Sequence, residues 1–388
     1  MKYSFEKTIS RDGTDSIKYE ARSAVFGKED VLSLWIADSD FPTPPFIVEA
    51  IQKRAAHPLY GYTFHGPKFG PSVRDWVKRR NDWEIDAEWV GFSPGVVTGF
   101  SIAIQALTEA GDGVLIQPPV YPPFAQMIRK NDRKVISNPL KWNGNAYEID
   151  FDDFEQKIAQ SKAFLMCNPH NPTGRAFTRE ELLRMGELCV KHDAYIISDE
   201  IHSDLIYQPH RHIHIASLSE ELADRTISLI APSKTFNVAG LASSATIIPN
   251  ESLRRRFSVK GEVVGVSHGN IFGSVALVAA YEQGDEWLDA YLEQLQRNAA
   301  YVTDYIYRTI PSVKAYIPES TYLMWLDFRE WGLKPDELGR TLVNAGLGLS
   351  QGKDFGAEGE GFMRINISTS MEELKEAMKR LEKADKIR

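Results

Sequence analysis

Apolar positions along the chain fall into two textures. Between about residues 85 and 250, short runs of β-branched or apolar residues alternate with longer stretches that repeat at helical spacing. The runs 89–92, 114–117, Ala163–Cys167, 194–198, Thr226–Ile230 and 245–248 show little polar alternation, which predicts strands buried on both faces of a sheet. Between them, Thr178 and Glu181 stand as a capping box ahead of Leu182, Leu183, Leu188 and Cys189. From Val96, apolar residues at 97, 100, 103, 104 and 107 repeat in the same helical way. Strand and helix alternating like this predict a mostly parallel α/β sheet. After about residue 280 the pattern changes: one long helix over 282–310, strands over 322–328 and 362–367, a helix over Pro335–Asn344, and a closing helix capped by Ser370 with Glu373. The expected division is a large domain over residues 46–284, a smaller α+β domain over 285–388, and residues 1–45 joining the small domain.

Composition narrows the function. Of 388 residues, 43% are hydrophobic and 25% charged, enough apolar material for a sizeable core. The net charge is 45 − 53 = −8, and no Lys/Arg-rich run stands out, so neither a nucleic acid nor an anionic membrane is an expected partner. Cys167 and Cys189 are the only cysteines, too few for a disulfide framework, and the first residues carry charges where a signal peptide needs an apolar stretch. A reducing compartment, the cytoplasm, is the expected location.

Functional groups of an open α/β sheet gather beyond the carboxyl ends of its strands. Asn168-Pro-His-Asn-Pro-Thr-Gly174 follows one predicted strand, Asp199-Glu-Ile-His202 the next, and Ala231-Pro-Ser-Lys-Thr235 the one after. Upstream, Ser93-Pro-Gly-Val-Val97 opens a helix. These are the parts a pyridoxal phosphate site needs. A lysine supplies the amine for a Schiff base, and a carboxylate keeps the ring nitrogen protonated. A helix N-terminus entered through Gly95 suits the phosphate, because its N–H groups and dipole favour an anion.

In these segments the chain resembles fold-type I pyridoxal-phosphate enzymes, the aspartate aminotransferase superfamily. It is closer to the cystathionine β-lyase (C–S lyase) branch through Leu34-Trp-Ile-Ala-Asp-Ser-Asp-Phe-Pro42, Tyr60-Gly-Tyr-Thr63, Gln117-Pro-Pro-Val-Tyr121, Ile197-Ser-Asp-Glu-Ile-His-Ser-Asp204 and Gly361-Phe-Met-Arg-Ile-Asn-Ile367. The resemblance implies a large domain with a mostly parallel seven-stranded sheet between helices, and a homodimer with its active site at the subunit interface. It implies that Lys234 bonds the cofactor and then acts as base at the substrate Cα. Asp199 pairs with the ring nitrogen, Asn171 hydrogen-bonds the ring's 3′ oxygen, and Tyr121 stacks on the ring. Gly95, Val96 and Ser233 hold the phosphate, with Tyr62 reaching in from the other subunit. His202, where aminotransferases commonly carry a tyrosine, is expected among the cofactor contacts. Arg364 clamps the substrate carboxylate, a task suited to the guanidinium fork, while Ile36 and Ala37 join Tyr62 on the substrate side.

The reaction so implied is β-elimination from L-cystathionine or a related cysteine S-conjugate, giving a thiol, pyruvate and ammonia. An aminotransferase needs the same lysine, aspartate and arginine, so that alternative stays open at this level. His210-Arg-His-Ile-His214 places alternate histidines on one side of an extended chain, but no carboxylate stands beside it in sequence, and a polar loop is the expectation rather than a metal site.

Overall fold

The computed structural model describes residues 3–144 and 146–388. Its centre is a seven-stranded sheet ordered Val90–Ser93, Ser244–Ile247, Thr226–Ile230, Tyr195–Asp199, Ala163–Cys167, Gly113–Ile116 and Lys134–Ser137. Five neighbouring strands, from Thr226–Ile230 to Lys134–Ser137, run parallel; Ser244–Ile247 alone runs antiparallel to both its neighbours. Every residue of Gly113–Ile116, Ala163–Cys167 and Thr226–Ile230 is buried. That is why these strands read as continuous apolar runs: helices cover both faces of the sheet. The helix Val96–Leu107 buries Val96, Phe100, Ala103, Ile104 and Leu107 against one face. On the other, Arg179–Lys191 starts at the expected box, with Thr178 accepting from the Glu181 N–H.

Predicted strands mostly shift by one residue, as ends do. The expectation for 114–117 becomes Gly113–Ile116 and that for 194–198 becomes Tyr195–Asp199, which brings Asp199 into the strand. Lys134–Ser137 is a strand the periodicity does not single out. It lies at the sheet edge, where its first residue is exposed and the rest half-buried, so its apolar signal is diluted.

A second sheet is antiparallel and three-stranded, ordered Leu323–Asp327, Phe362–Asn366 and Ser350–Gln351. Helices Pro335–Asn344 and Met371–Ile387 accompany it. The N-terminal segment joins this region: Leu32–Ser33 pairs parallel with Leu347–Gly348. The long helix expected over 282–310 is corrected. Ile271–Gln283 ends at Gly284, and a separate helix runs Asp285–Thr309. A Cβ on Gly284 would stand 2.3 Å from Cζ of Phe236 and 2.4 Å from the Ala280 oxygen, so the two helices meet at a point where only glycine fits. Among the described residues no helix is long and apolar enough to cross a membrane.

Candidate active site

Adjacent strand ends deliver the site. Cys167 and Asp199 are register partners, as are Asp199 and Leu229, so the segments beyond these strands emerge side by side. After Ala163–Cys167 the chain turns tightly. The Asn168 N–H donates to the Asp199 oxygen at 3.0 Å, and the Gly174 N–H to the His170 oxygen at 2.8 Å. His170, buried beneath, pairs Nδ1 with Thr173 Oγ1 at 2.9 Å; burial pushes its pKa down to about 3, so its ring is neutral. That turn presents Asn171. After Thr226–Ile230 comes the short helix Pro232–Thr235, which carries Ser233 and Lys234.

These elements enclose a cavity of about 190 Å³. Lys234, Asp199, Asn171 and Tyr121 line it, as do Gly95, Val96, Ser233, His202 and Ala37. Arg364 meets it at Asn171, where its Nη1 donates to Oδ1 at 2.9 Å. Two other expected residues are not brought together with these in the chain. Ile36 does not line the cavity; its backbone oxygen is held by Asn366. Tyr62 is fully exposed, in an irregular stretch that also exposes Leu59, Tyr60 and Phe64.

The electrostatics suit an anionic, ring-bearing ligand. Burial raises the Asp199 carboxyl to about 7, against the opposing hydrogen bond from the Ile201 N–H at 3.1 Å. Burial lowers Lys234 to about 8, so a neutral amine is within reach near neutral pH, and its Nζ donates to the Ala37 oxygen at 2.6 Å. His202 is driven well down by burial, then by the Lys234 and Arg364 charges, and stays neutral. Burial also lowers Arg364, to about 10; among the described residues no carboxylate lies within ion-pair distance of it. A buried guanidinium without a counter-ion is costly unless an anion arrives.

Three buried polar atoms at the site have no partner: Nε of Arg364, Nδ1 of His202 and Oγ of Ser243. Buried polar atoms are normally satisfied, so three together mark room for a polar ligand. Gly95 adopts φ +100°, and a Cβ there would meet nothing within 4 Å, so the approach to the helix start is open. The chain's own residues therefore fit pyridoxal phosphate. Lys234 would bond its carbonyl carbon, and Asp199 and Asn171 would face the ring. The first turn after Gly95, with Ser233 and Ser243, would take the phosphate. Ser243 was not found by sequence reasoning: a serine among small residues before an apolar strand carries no distinctive signal.

The histidine expectation is corrected. His212 and His214 are not in a polar loop but fully buried, and both pair with Oε2 of Glu200, His212 at 3.3 Å. The other oxygen accepts from Ser198 at 2.6 Å and Ser228 at 3.3 Å. Burial pushes Glu200 up, but the two histidines outweigh it and hold the carboxylate well below its usual range. The three side chains are close enough to share a metal ion. Their geometry is already that of a carboxylate with four hydrogen bonds. No local pattern links Glu200 to histidines 12 and 14 positions on, so this partner could not be read from the sequence.

The family model of class I and II aminotransferases matches residues 29–381. The cystathionine β-lyase PatB of Bacillus subtilis is 42% identical over 98% of this chain and 99% of its own length. Among solved structures, cystalysin from Treponema denticola, which contains pyridoxal 5′-phosphate, superposes with a TM-score of 0.97 at 34% identity over the whole of both chains. A pyridoxal-phosphate-bound C–S lyase from Staphylococcus hominis gives 0.92 at 33%, covering 98% of each chain. The chain belongs to the class I and II aminotransferase family, within its cystathionine β-lyase and C–S lyase branch.

Proposed function

We propose that this protein is a pyridoxal-phosphate-dependent C–S β-lyase that cleaves L-cystathionine, or a related cysteine S-conjugate, to a thiol, pyruvate and ammonia. The observation that carries the reading is the meeting of three groups: the Lys234 amine and the buried Asp199 carboxyl in the lining of one cavity, and the Arg364 guanidinium, hydrogen-bonded to Asn171 of that lining and with no carboxylate partner among the described residues. The choice of elimination over amino transfer is supported by the likeness to PatB, cystalysin and the Staphylococcus C–S lyase. When bound, pyridoxal phosphate supplies an electrophilic carbonyl and a sink for the electrons released at Cα.

The protein's part is binding, orientation and proton transfer. Arg364 takes the substrate carboxylate through its Nε–H, which has no partner within the protein, while Asn171 keeps the fork in place. Lys234 removes the Cα proton; with its pKa near 8, it can act as a base near neutrality. The Cα–Cβ double bond forms as the Cβ–S bond breaks with both electrons on sulfur, and the thiolate leaves to take a proton. The three-carbon fragment then hydrolyses to pyruvate and ammonia. Asp199 holds a proton on the ring nitrogen, Tyr121 packs on the ring face, and neutral His202 offers Nδ1 to a polar atom of the ligand. Tyr62, exposed on its own subunit, completes the site of a second copy in a homodimer. Two buried free cysteines suit a reducing, cytoplasmic setting.

The test is pyruvate release from L-cystathionine with pyridoxal phosphate present and no 2-oxo acid. Steady turnover that is lost in Lys234→Ala supports elimination. No pyruvate, with amino transfer once a 2-oxo acid is added, would replace the lyase by an aminotransferase on the same site.

A further inference from the structure

Residues 34–41 form a strap between the two sheets, and its carbonyl groups are held one after another. Arg364 Nη2 donates to the Trp35 oxygen at 2.8 Å. Asn366 Nδ2 donates to the oxygens of both Ile36, at 2.7 Å, and Asp38, at 2.6 Å. On the far side Asn237 Nδ2 donates to the Ser39 and Phe41 oxygens, each at 3.0 Å. Ala37 lies between the two carbonyls that Asn366 holds. Its oxygen accepts from two donors at once, Nζ of Lys234 at 2.6 Å and Oη of Tyr322 at 3.0 Å.

The arrangement follows from strand geometry. Arg364 and Asn366 are two apart in Phe362–Asn366 and share a face, so both side chains meet the strap. Leu323, next to Tyr322, is the register partner of Asn366. The orientation of the Asn366 amide is forced by its partners: Oδ1 accepts from the Ser368 N–H at 2.7 Å, and a flipped amide would set oxygen against two carbonyl oxygens. Asn366 and Tyr322 are both fully buried, and neither lines the cavity. Their hydrogen bonds reach Lys234 through the strap, while the Tyr322 ring also packs edge-on against His202 of the lining, with centroids 6.1 Å apart.

We propose that Asn366 and Tyr322 are positioning residues that fix the Ala37 carbonyl as the resting point of the Lys234 amine whenever that amine is not bonded to the cofactor. The proposal rests on the reading of Lys234 as the cofactor-bonding lysine and base. An amine that gives up the cofactor and must then move a proton at Cα works only from a defined place, since small misplacements of reacting groups carry large rate penalties. A carbonyl that also accepts from a fixed phenol, in a backbone clamped on either side, supplies that place. One N–H of the amine is spent on Ala37, and the lone pair remains free for the substrate proton.

Asn366→Ala and Tyr322→Phe test this in the full chain. In cofactor-free protein, acetic anhydride labelling across a pH series, read by peptide mass spectrometry, reports how readily the Lys234 amine reacts. Each variant is expected to label at Lys234 about three- to tenfold faster than wild type near neutral pH, the scale of one lost hydrogen bond, with exposed Lys53 unchanged as reference. In the loaded enzyme kcat falls about tenfold while KM stays within about twofold, because the loss falls on proton transfer and not on substrate binding. Wild-type labelling and wild-type kcat in both variants would overturn the proposal. If Asn366→Ala does not fold, Tyr322→Phe, which keeps the ring, decides alone. Failure of borohydride to fix pyridoxal phosphate onto Lys234 in the wild type would instead remove the reading on which the proposal stands.

Discussion

Arg364 donates to the side-chain oxygen of Asn171 at 2.9 Å, across 193 positions of sequence. The contact joins the small antiparallel sheet to the turn beyond a central strand of the large one. The group suited to the substrate carboxylate is thereby held by a group suited to the cofactor. The same guanidinium donates to the Trp35 oxygen and lies 3.2 Å from Ser350 Oγ, so its orientation is set before any ligand arrives.

Arg364→Lys removes the fork and the bond to Asn171 while keeping the charge. The expected result is a fall in kcat/KM for L-cystathionine of about a hundredfold, carried mostly by KM, since about 2–3 kcal/mol of charge-assisted hydrogen bonding is lost in the ground and transition states alike. Steady-state kinetics with the cofactor saturating measures it. An unchanged KM would mean that the carboxylate binds elsewhere.

The Asp199 carboxyl holds its proton to about pH 7 when folded, against 3.8 as its ordinary value, because burial disfavours the charge. A group that binds its proton more tightly in the folded state lends stability below its unfolded pKa and loses it as pH rises through the folded one. Cofactor-free wild type therefore loses stability at this site between about pH 4 and about pH 7, and Asp199→Asn does not. The melting temperature of the variant should gain on wild type as pH rises across that window, as measured by calorimetry on cofactor-free protein. A difference independent of pH would contradict the shift.

Glu200 is fully buried and accepts from Ser198, Ser228, His212 and His214. Glu200→Ala leaves those donors facing a void, and denaturant unfolding should show a loss of about 3 kcal/mol or more. Because hydrogen bonds already satisfy the carboxylate, EDTA should leave the unfolding midpoint of wild type unchanged. A lower midpoint in EDTA, restored by zinc, would make the cluster a metal site.

Tyr62 stands exposed, outside its own subunit's cavity lining, while Lys234 is buried within that lining. If each site takes its tyrosine from the second copy, Lys234→Ala and Tyr62→Ala proteins are each impaired alone. Unfolding and refolding the two together should restore pyruvate release, because the mixed dimer contains one site with both residues intact. No recovery, with dimers confirmed by ultracentrifugation, would place Tyr62 outside the site.

Much of the site was legible because of the kind of sheet it stands on. In a parallel sheet buried on both faces, each strand is an uninterrupted apolar run, and the residues just past it emerge at one rim. Asn171, Asp199 and Lys234 each follow such a run, so their convergence could be argued from local pattern together with motif order. The capping box at Thr178 and the N-cap at Ser370, whose hydroxyl accepts from the Glu373 N–H, were readable for a similar reason, since their partners lie three residues away.

What tertiary structure alone decided lies in contacts between distant residues that no local pattern announces. Gly284 divides two helices because Phe236 occupies the space of its Cβ, a constraint set 48 positions upstream. His212 and His214 looked solvated until Glu200 was placed against them. Ser243 enters the site by proximity, with no motif around it. The strap over Lys234 is the clearest case: its acceptors are backbone oxygens, which every residue type carries, so nothing in the letters of positions 35–38 marks Ala37 as the partner of a lysine 197 residues away. Periodicity records which side chains are buried; only the folded chain determines which backbone carbonyl meets which donor.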